Sequence, residues 1–420
     1  MALSSPGSTA SGTGSPAPGS PAAGRPARGL LALLFAGNTA MYALYVGVPG
    51  LLLALQIEEI DPAGKVANFG LVSGISAIFA TVFNPVAGAL SDRSGRRNPW
   101  ILAGGLLALP VMLLLGGVHT ILLVTIVWCL GQAVMNVYQA ALTSVVPDRV
   151  PVGARGKASA AVGLGLPVGS TIGALVGAAF SEDYRTGYLV LGALVAATAV
   201  LFTACARERR MPAKAPLPVR EQLRAFGSAL GHHDFRWAFI GRALLVLGYF
   251  AVAGFQLYIL KDHTELPAGL SPEEAVAVLM PLNALAMVVS TVLGGWLSDR
   301  YDRRKLFVGA SAALAAAALL VPAVSASWTA MLVFSAVNGL GFGCYMAVDT
   351  ALVTMVLPKA EDAARDMGVL NVANAGPQIV APFAASLVVS LSGGYTALFL
   401  IAAVLSVLGA LAVRPVRSVR

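Results

Sequence analysis

Apolar runs of about 20 residues, repeated along the whole chain and parted by short charged segments, leave this sequence few ways to fold. A helix rises about 1.5 Å per residue, so some 20 apolar residues cross a hydrocarbon core of about 30 Å. In lipid the backbone must satisfy its own polar groups, and a run this long and this evenly apolar does so as a helix. Hydrophobic residues make up 57% of the chain and charged residues 11%, against about 25% charge in soluble domains. The runs lie at about 29–55, 62–88, 99–117, 121–146, 157–180, 188–206, 236–260, 272–295, 305–324, 328–357, 367–391 and 395–413. The expected class is an all-α membrane protein of twelve transmembrane helices.

The segments between the runs set the organisation. Residues 1–28 are rich in Ser, Pro, Gly and Ala and lack an aromatic residue, a composition that reads as a disordered tail and not as a signal peptide. Residues 207–235, basic and proline-bearing, read as a linker between two six-helix bundles, 29–206 and 236–413, with 414–420 as a short basic tail. The formal net charge is +8, but the Lys and Arg side chains gather in loops. One set of loops holds Arg93, Arg96, Arg97, Arg149, Arg155, Arg300, Arg303, Arg304 and Lys305, whereas the opposite set holds Lys65, Arg185 and Lys261. This asymmetry predicts both termini and the linker on the cytoplasmic side of the plasma membrane. It explains the basic charge without a nucleic-acid partner. Cys129, Cys205 and Cys344 lie inside apolar runs without ligand-spaced neighbours, so no metal site is expected.

Two loops are alike. Residues 88–97 read GALSDRSGRR and residues 295–304 read GWLSDRYDRR, which sets Asp299 207 positions after Asp92 (299 − 92). Further anchors recur at a shift of 210: Asp61-Pro62 with Ser271-Pro272, Ala141-Leu142 with Ala351-Leu352, Arg155 with Arg365, and Pro167 with Pro377. Anchors of this kind mark two parallel repeats, and they set Gln139 opposite Asp349.

The repeated loop resembles the signature of the major facilitator superfamily, G-x-x-x-D-R-x-G-R-[RK]. The first copy matches throughout; the second has Asp302 in place of the last glycine. The resemblance implies two pseudo-symmetric six-helix bundles. It implies a secondary transporter, working by alternating access on a small-molecule substrate, without a bound cofactor and as a monomer. It implies a gating role for Asp92 with Gly88, Arg93, Gly95, Arg96 and Arg97, and for Gly295, Asp299, Arg300 and Arg303 in the second copy. It also implies that helices 1, 4, 7 and 10 line a central cavity, and that the fifth helix packs near the eighth. On that expectation Gly165, Gly169, Gly173 and Gly177, spaced by four on one face of the fifth helix, form a sliding surface between halves or a site of tight packing.

Ionisable residues at membrane depth are costly and point to function. Asp349 lies eight residues before Leu357, about 12 Å along the helix, and Arg242 lies at similar depth in the seventh run. They are candidates for a facing pair that carries a proton. Asn38, Asn136, Gln139 and Tyr345 are the polar candidates for the cavity. For each, bonding between helices is the plainer reading. The loop SDRSGRRNPW, 91–100, and the Asn- and Pro-bearing eleventh run resemble in part the sugar:cation symporter branch, which implies a proton-coupled transporter, with a sugar among the candidate solutes. Export of drug-like or secondary-metabolite molecules is the alternative. Residues 125–143 contain no arginine, unlike drug/proton antiporters. The sequence carries no H-E-x-x-H, G-x-S-x-G or P-loop, which weighs against an enzyme and against ATP use. A passive channel would leave the repeat unexplained.

Overall fold

The computed structural model describes residues 29–151, 154–206, 208, 230–301, 303–356 and 363–416. All twelve apolar runs are helices, and the described residues form no strand. The first half comprises α1 (Leu30–Ile60), α2 (Lys65–Ser94), α3 (Asn98–Gly117), α4 (Ile121–Arg149), α5 (Arg155–Ala179) and α6 (Tyr184–Cys205). The second comprises α7 (His233–Ala253), α8 (Pro272–Tyr301), α9 (Arg304–Val324), α10 (Trp328–Val356), α11 (Ala363–Ser392) and α12 (Thr396–Ala412). Eleven are long and apolar enough to cross a bilayer; α12 is apolar but shorter, at 17 residues. The expected tail 1–28 and nearly all of the linker lie outside the described residues.

Local chemistry explains where the boundaries moved. Ser271 and Glu274 form a reciprocal capping box, each accepting from the other's backbone N–H, at 3.1 and 2.9 Å, so α8 starts where its sequence predicts. Asp61 instead accepts from the Gly64 N–H at 3.0 Å and from Asn68 at 2.8 Å. It closes a turn, and α2 begins three residues late, at Lys65. Asp183 caps α6 through Thr186 and starts that helix at Tyr184 instead of Tyr188. The signature loops are mostly helical: α2 runs to Ser94 and α8 to Tyr301. What remains of the first loop turns at Gly95, whose φ of 61° a side chain would strain.

Two helices are interrupted beside the centre of the molecule. Pro49 lacks an N–H, and around it Val48–Leu52 forms a π-helical turn within α1. In the second half, α7 ends at Ala253 and a short helix, Gln256–Asp262, carries the chain on after Gly254 and Phe255. Pro377 and Pro382 remain inside one continuous α11.

Large apolar side chains such as Leu122, Val292 and Leu391 point outward, as they do where the solvent is lipid. The α5 glycines correct an expectation. Their ridge packs against α1 in the same half, not against the other half. A Cβ at Gly165 would fall 2.7 Å from that of Asn38, and one at Gly47 would fall 2.7 Å from the Cα of Gly173. Backbone meets backbone here, which only glycine allows. The halves meet elsewhere, where α5 touches α8 and α2 touches α11; Gly70 and Gly74 of α2 stand against Ser386 and Phe383 of α11.

Candidate functional site

Between the halves lies a cavity of about 380 Å³, within the range that holds small-molecule ligands. Among the described residues its wall contains no Asp, Glu, Lys, Arg or His. Aromatic side chains dominate it, among them Phe69, Trp128, Tyr249, Phe250, Phe334 and Phe342, with Met280, Met287 and Met331 between them. Five amides, Gln132, Gln256, Asn283, Asn338 and Gln378, supply most of the remaining polarity. Both interrupted helices reach this wall, α1 through Pro49 and Gly50 and α7 through Gly254, Phe255 and Gln256. Tyr249 lies flat on Phe342, with ring centres 3.8 Å apart and planes at 17°. The Tyr249 hydroxyl donates to Asn283 Oδ1 at 3.1 Å, and the Asn283 amide donates to the Ser335 carbonyl at 3.0 Å.

Two helical turns from that stack, on the same two helices, Arg242 and Asp349 meet. The guanidinium donates through Nε and Nη2 to Asp349 Oδ2, each at 2.5 Å. The residues are 3% and 1% exposed, so the pair is dry as well as direct. Asp349 Oδ1 and the Tyr345 hydroxyl, one turn before it, are buried, and neither meets hydrogen-bond geometry with another group among the described residues. Seven residues separate Arg242 from Tyr249 and Phe342 from Asp349, about 10 Å along each helix. The pair therefore sits behind the cavity, towards the face that carries the signature loops.

The structure thus joins Asp349, Arg242 and Tyr345 but sets none of them in the cavity wall. Asn38 and Asn136 are buried against backbone carbonyls of their own helices, donating to Leu34 and Gln132 at 2.8 and 2.7 Å. Gln139 is half-buried and also outside the wall. The α4 amide that does reach the cavity is Gln132, one turn before Asn136.

A second charged cluster joins the halves on the opposite face, and no sequence motif marked it. Lys65 pairs with Glu58 at 3.0 Å and with Asp262 at 2.8 Å. Lys261 pairs with Glu58 at 2.8 Å and with Glu273 at 3.0 Å. Lys65–Asp262 and Lys261–Glu58 both cross between halves, over separations of 197 and 203 residues. Lys65 also lies over the Tyr258 ring, and Tyr258 donates to the Ala54 carbonyl across the same boundary. Partial burial works against the Lys261 charge, but hydrogen bonds to Glu58 and Glu273 outweigh it and hold its pKa above the ordinary lysine value.

The family model of the Major Facilitator Superfamily matches residues 29–271 and again 259–419, nearly the whole chain between them. This protein belongs to the major facilitator superfamily. Among curated superfamily relatives, MFS transporter asaE of Aspergillus flavus is 24% identical over 338 residues, 77% of this chain and 72% of its own. The multi-drug resistance efflux pump PmrA of Streptococcus pneumoniae is 26% identical over 178 residues, 39% of this chain. That match spans only 43% of the pump. Solved structures share the fold at low identity. A bacterial homolog of the human lysosomal transporter Spinster, inward-facing and unoccupied, aligns with a TM-score of 0.72 at 17% identity, covering 92% of this chain and 98% of that one. A mutant of the nucleoside transporter NupG aligns with a TM-score of 0.76 at 14% identity, covering 91% and 98%.

The two copies of the superfamily signature are held differently. In the first, Arg97 is buried, donating to Asp148 at 2.9 Å and to Ser91 at 2.7 Å. Glu208 accepts from the backbone N–H groups of Arg97 and Asn98, at 2.7 and 2.9 Å, and so caps α3. Arg149 donates to Asn98 at 2.8 Å. Arg93 and Arg96 are exposed, Gly88 faces open space, and the Asp92 side chain lies outside the described residues. Asp148 and Glu208 were not singled out in the sequence because they sit outside the motif. In the second copy, Asp299 is exposed and pairs with Arg304 of its own loop at 3.2 Å. Arg300 lies 5.2 Å over the Trp296 ring, Arg303 is exposed, and Gly295 approaches Ala347. The counterpart of Asp148 at the 210 shift is Pro358, which offers no carboxylate.

Proposed function

We propose that this transporter moves an uncharged, amphipathic organic molecule by alternating access, with the Asp349–Arg242 pair as the proton-coupling element. The observation that carries the reading is the cavity wall, which is rich in aromatic and methionine side chains and, among the described residues, free of acids and bases. A charged solute would lose its hydration there without a counter-charge. A sugar would find five amides but would have to set its hydroxyls against aromatic faces on most sides. The balance therefore moves from the sugar expected of the symporter branch to the alternative, a drug-like or metabolite-like molecule. The partial likeness to a multidrug efflux pump points the same way.

The coupling follows from where the pair sits. Arg242 and Tyr249 share α7, and Asp349 and Phe342 share α10. A solute that displaces the Tyr249–Phe342 stack shifts both helices that hold the ion pair. A carboxylate parted from its guanidinium is costly at membrane depth and takes up a proton instead. Solute movement and proton movement are thereby linked through two helices of one half. The excess of Lys and Arg in the signature-side loops supports a cytoplasmic position for that face.

The test uses purified protein in liposomes with an imposed proton gradient. Labelled chloramphenicol, neutral and amphipathic, is expected to move with the gradient, while labelled sucrose is not. Asp349→Asn is expected to exchange chloramphenicol across the membrane without responding to the gradient. Gradient-driven sucrose movement would return the reading to the sugar branch.

A further inference from the structure

The five amides of the cavity wall differ in what they already bind. Asn283 accepts from Tyr249 and donates to the Ser335 carbonyl, and Gln378 donates to the Asn374 carbonyl of its own helix at 3.1 Å. Among the described residues, the side chains of Gln132, Gln256 and Asn338 have no hydrogen-bond partner. None of their amide atoms is sealed within the protein, unlike the hydroxyl oxygens of Tyr45 and Ser73 in the same wall. Each of these amides therefore keeps a carbonyl acceptor and an NH2 donor free for the cavity. They come from both halves: Gln132 from α4, Gln256 from the short helix after α7, and Asn338 from α10. Aromatic rings stand next to them. Phe334, Asn338 and Phe342 follow at four-residue steps along the cavity face of α10, about 6 Å apart along the axis. Trp128 and Gln132 repeat that step on α4, and Gln256 follows Phe255, both in the wall. A flat molecule that packs its faces on the rings is left with its edge for the amides.

Resting on the reading of this cavity as the transport site, we infer that its occupant is a flat, neutral heterocycle whose edge carries an N–H beside a carbonyl, as in a ring lactam, imide or cyclic urea. A primary amide offers its C=O and NH2 side by side, so the group that satisfies both at once offers N–H and C=O side by side. A ring holds the two on one edge. An occupant that only accepts, such as an ester or lactone, strips water from the amide oxygens of Gln132, Gln256 and Asn338 and pairs with none of them. Unpaired polar groups in a dry site are costly, so a site built to bond an N–H discriminates strongly against an analogue that lacks it. A cation is drawn to aromatic faces, but it leaves the amide N–H groups unused and finds no counter-charge in this wall.

The experiment measures equilibrium binding of four bicyclic probes of nearly one shape to the purified full-length protein. They are carbostyril (a lactam), coumarin (the lactone, with oxygen in place of N–H), N-methylcarbostyril (the N–H blocked) and N-methylquinolinium (a cation). Carbostyril is expected to bind at least 10-fold more tightly than each of the others. Asn338→Leu, Gln132→Met and Gln256→Met are each expected to weaken carbostyril by about 3- to 10-fold, the loss of one neutral hydrogen bond, with the melting temperature held near that of the parent. Coumarin should lose less, so the preference for lactam over lactone falls; a merely structural role would weaken both probes alike. Leu166→Trp, which fills the cavity from α5, is expected to abolish binding. No carbostyril binding, coumarin or N-methylcarbostyril binding as tightly as carbostyril, or a preference unchanged in all three amide variants would each overturn the inference while leaving the cavity as a site for neutral solutes. If carbostyril binds equally well to Leu166→Trp, or the cation binds most tightly of all, the broader proposal fails with it.

Discussion

Arg242 and Asp349 belong to the same half of the molecule; Lys65 and Lys261 each reach from one half to the other. The first pair is dry, direct and enclosed by α7 and α10. The second cluster is a chain of partly wetted contacts through Glu58, Asp262 and Glu273. On the proposed alternating access, rocking of rigid halves would leave the first intact and break the second. Position relative to the boundary between halves thus assigns the two clusters different work. On that proposal the cross-half cluster would report which face is closed, and the buried pair would respond to changes within its own half.

The largest effect should come from breaking the buried pair on one side. Arg242→Leu leaves Asp349 enclosed without its guanidinium, a loss of about 3–5 kcal/mol for such pairs, read as a large drop in melting temperature and yield. Arg242→Leu together with Asp349→Leu should recover most of that stability while transport loses its response to a proton gradient. If the double variant is as unstable as the single one, the pair is not the cause. Next in size, Asp349→Asn should lower gradient-driven transport at least 10-fold and leave solute exchange intact.

The cross-half cluster should respond more mildly. Lys261→Ala removes contacts to Glu58 and Glu273 that are worth about 1 kcal/mol in a partly exposed setting, or about a 5-fold shift towards opening of that face. The measurement is the reaction rate of a membrane-impermeant thiol reagent with Phe255→Cys, after Cys129, Cys205 and Cys344 are replaced. An unchanged rate would show that the cluster does not hold the face closed. Raising salt from 50 mM to 1 M should increase the same rate by about 2-fold through screening and leave the enclosed Arg242–Asp349 pair unaffected. The smallest effect should come from alkali. Lys261 carries a raised pKa, so its contribution is complete below the ordinary lysine value and is lost only as pH rises through its higher folded value. Labelling between pH 7 and 9, divided by the rise in thiolate fraction of a free cysteine over that range, should therefore be flat.

Helix number, the two-half arrangement and the capping box at Ser271 were legible because they rest on run length and local chemistry. The Arg242–Asp349 pair was legible because two opposite charges inside apolar runs have few other ways to be accommodated. Rotation about the helix axis was not legible. In helices apolar on every side no stripe tells an inward face from an outward one, so Gln132 on the cavity could not be told from Asn136 one turn away. The glycines of α5 showed a close approach without naming α1 as the partner. The cross-half cluster was hidden for a different reason: Lys65 and Lys261 read as stray loop charges because their carboxylates lie some 200 residues away in sequence. Asp148 and Glu208 were missed because a motif names the residues inside it, while the network that holds Arg97 is completed from outside.

The contact of α1 with α5 has a mechanical consequence. Where backbone rests on backbone, as at Gly47 and Gly173, no flexible side chain lies between the helices to absorb a displacement. The two helices act as one lever with no backlash. One arm, α5, bears on α8 of the other half; the other carries Tyr45, Val46, Pro49 and Gly50 in the cavity wall. On the proposed rocking, a displacement of the second half against α5 would pass to that wall through the backbone contact at Gly47 and Gly173.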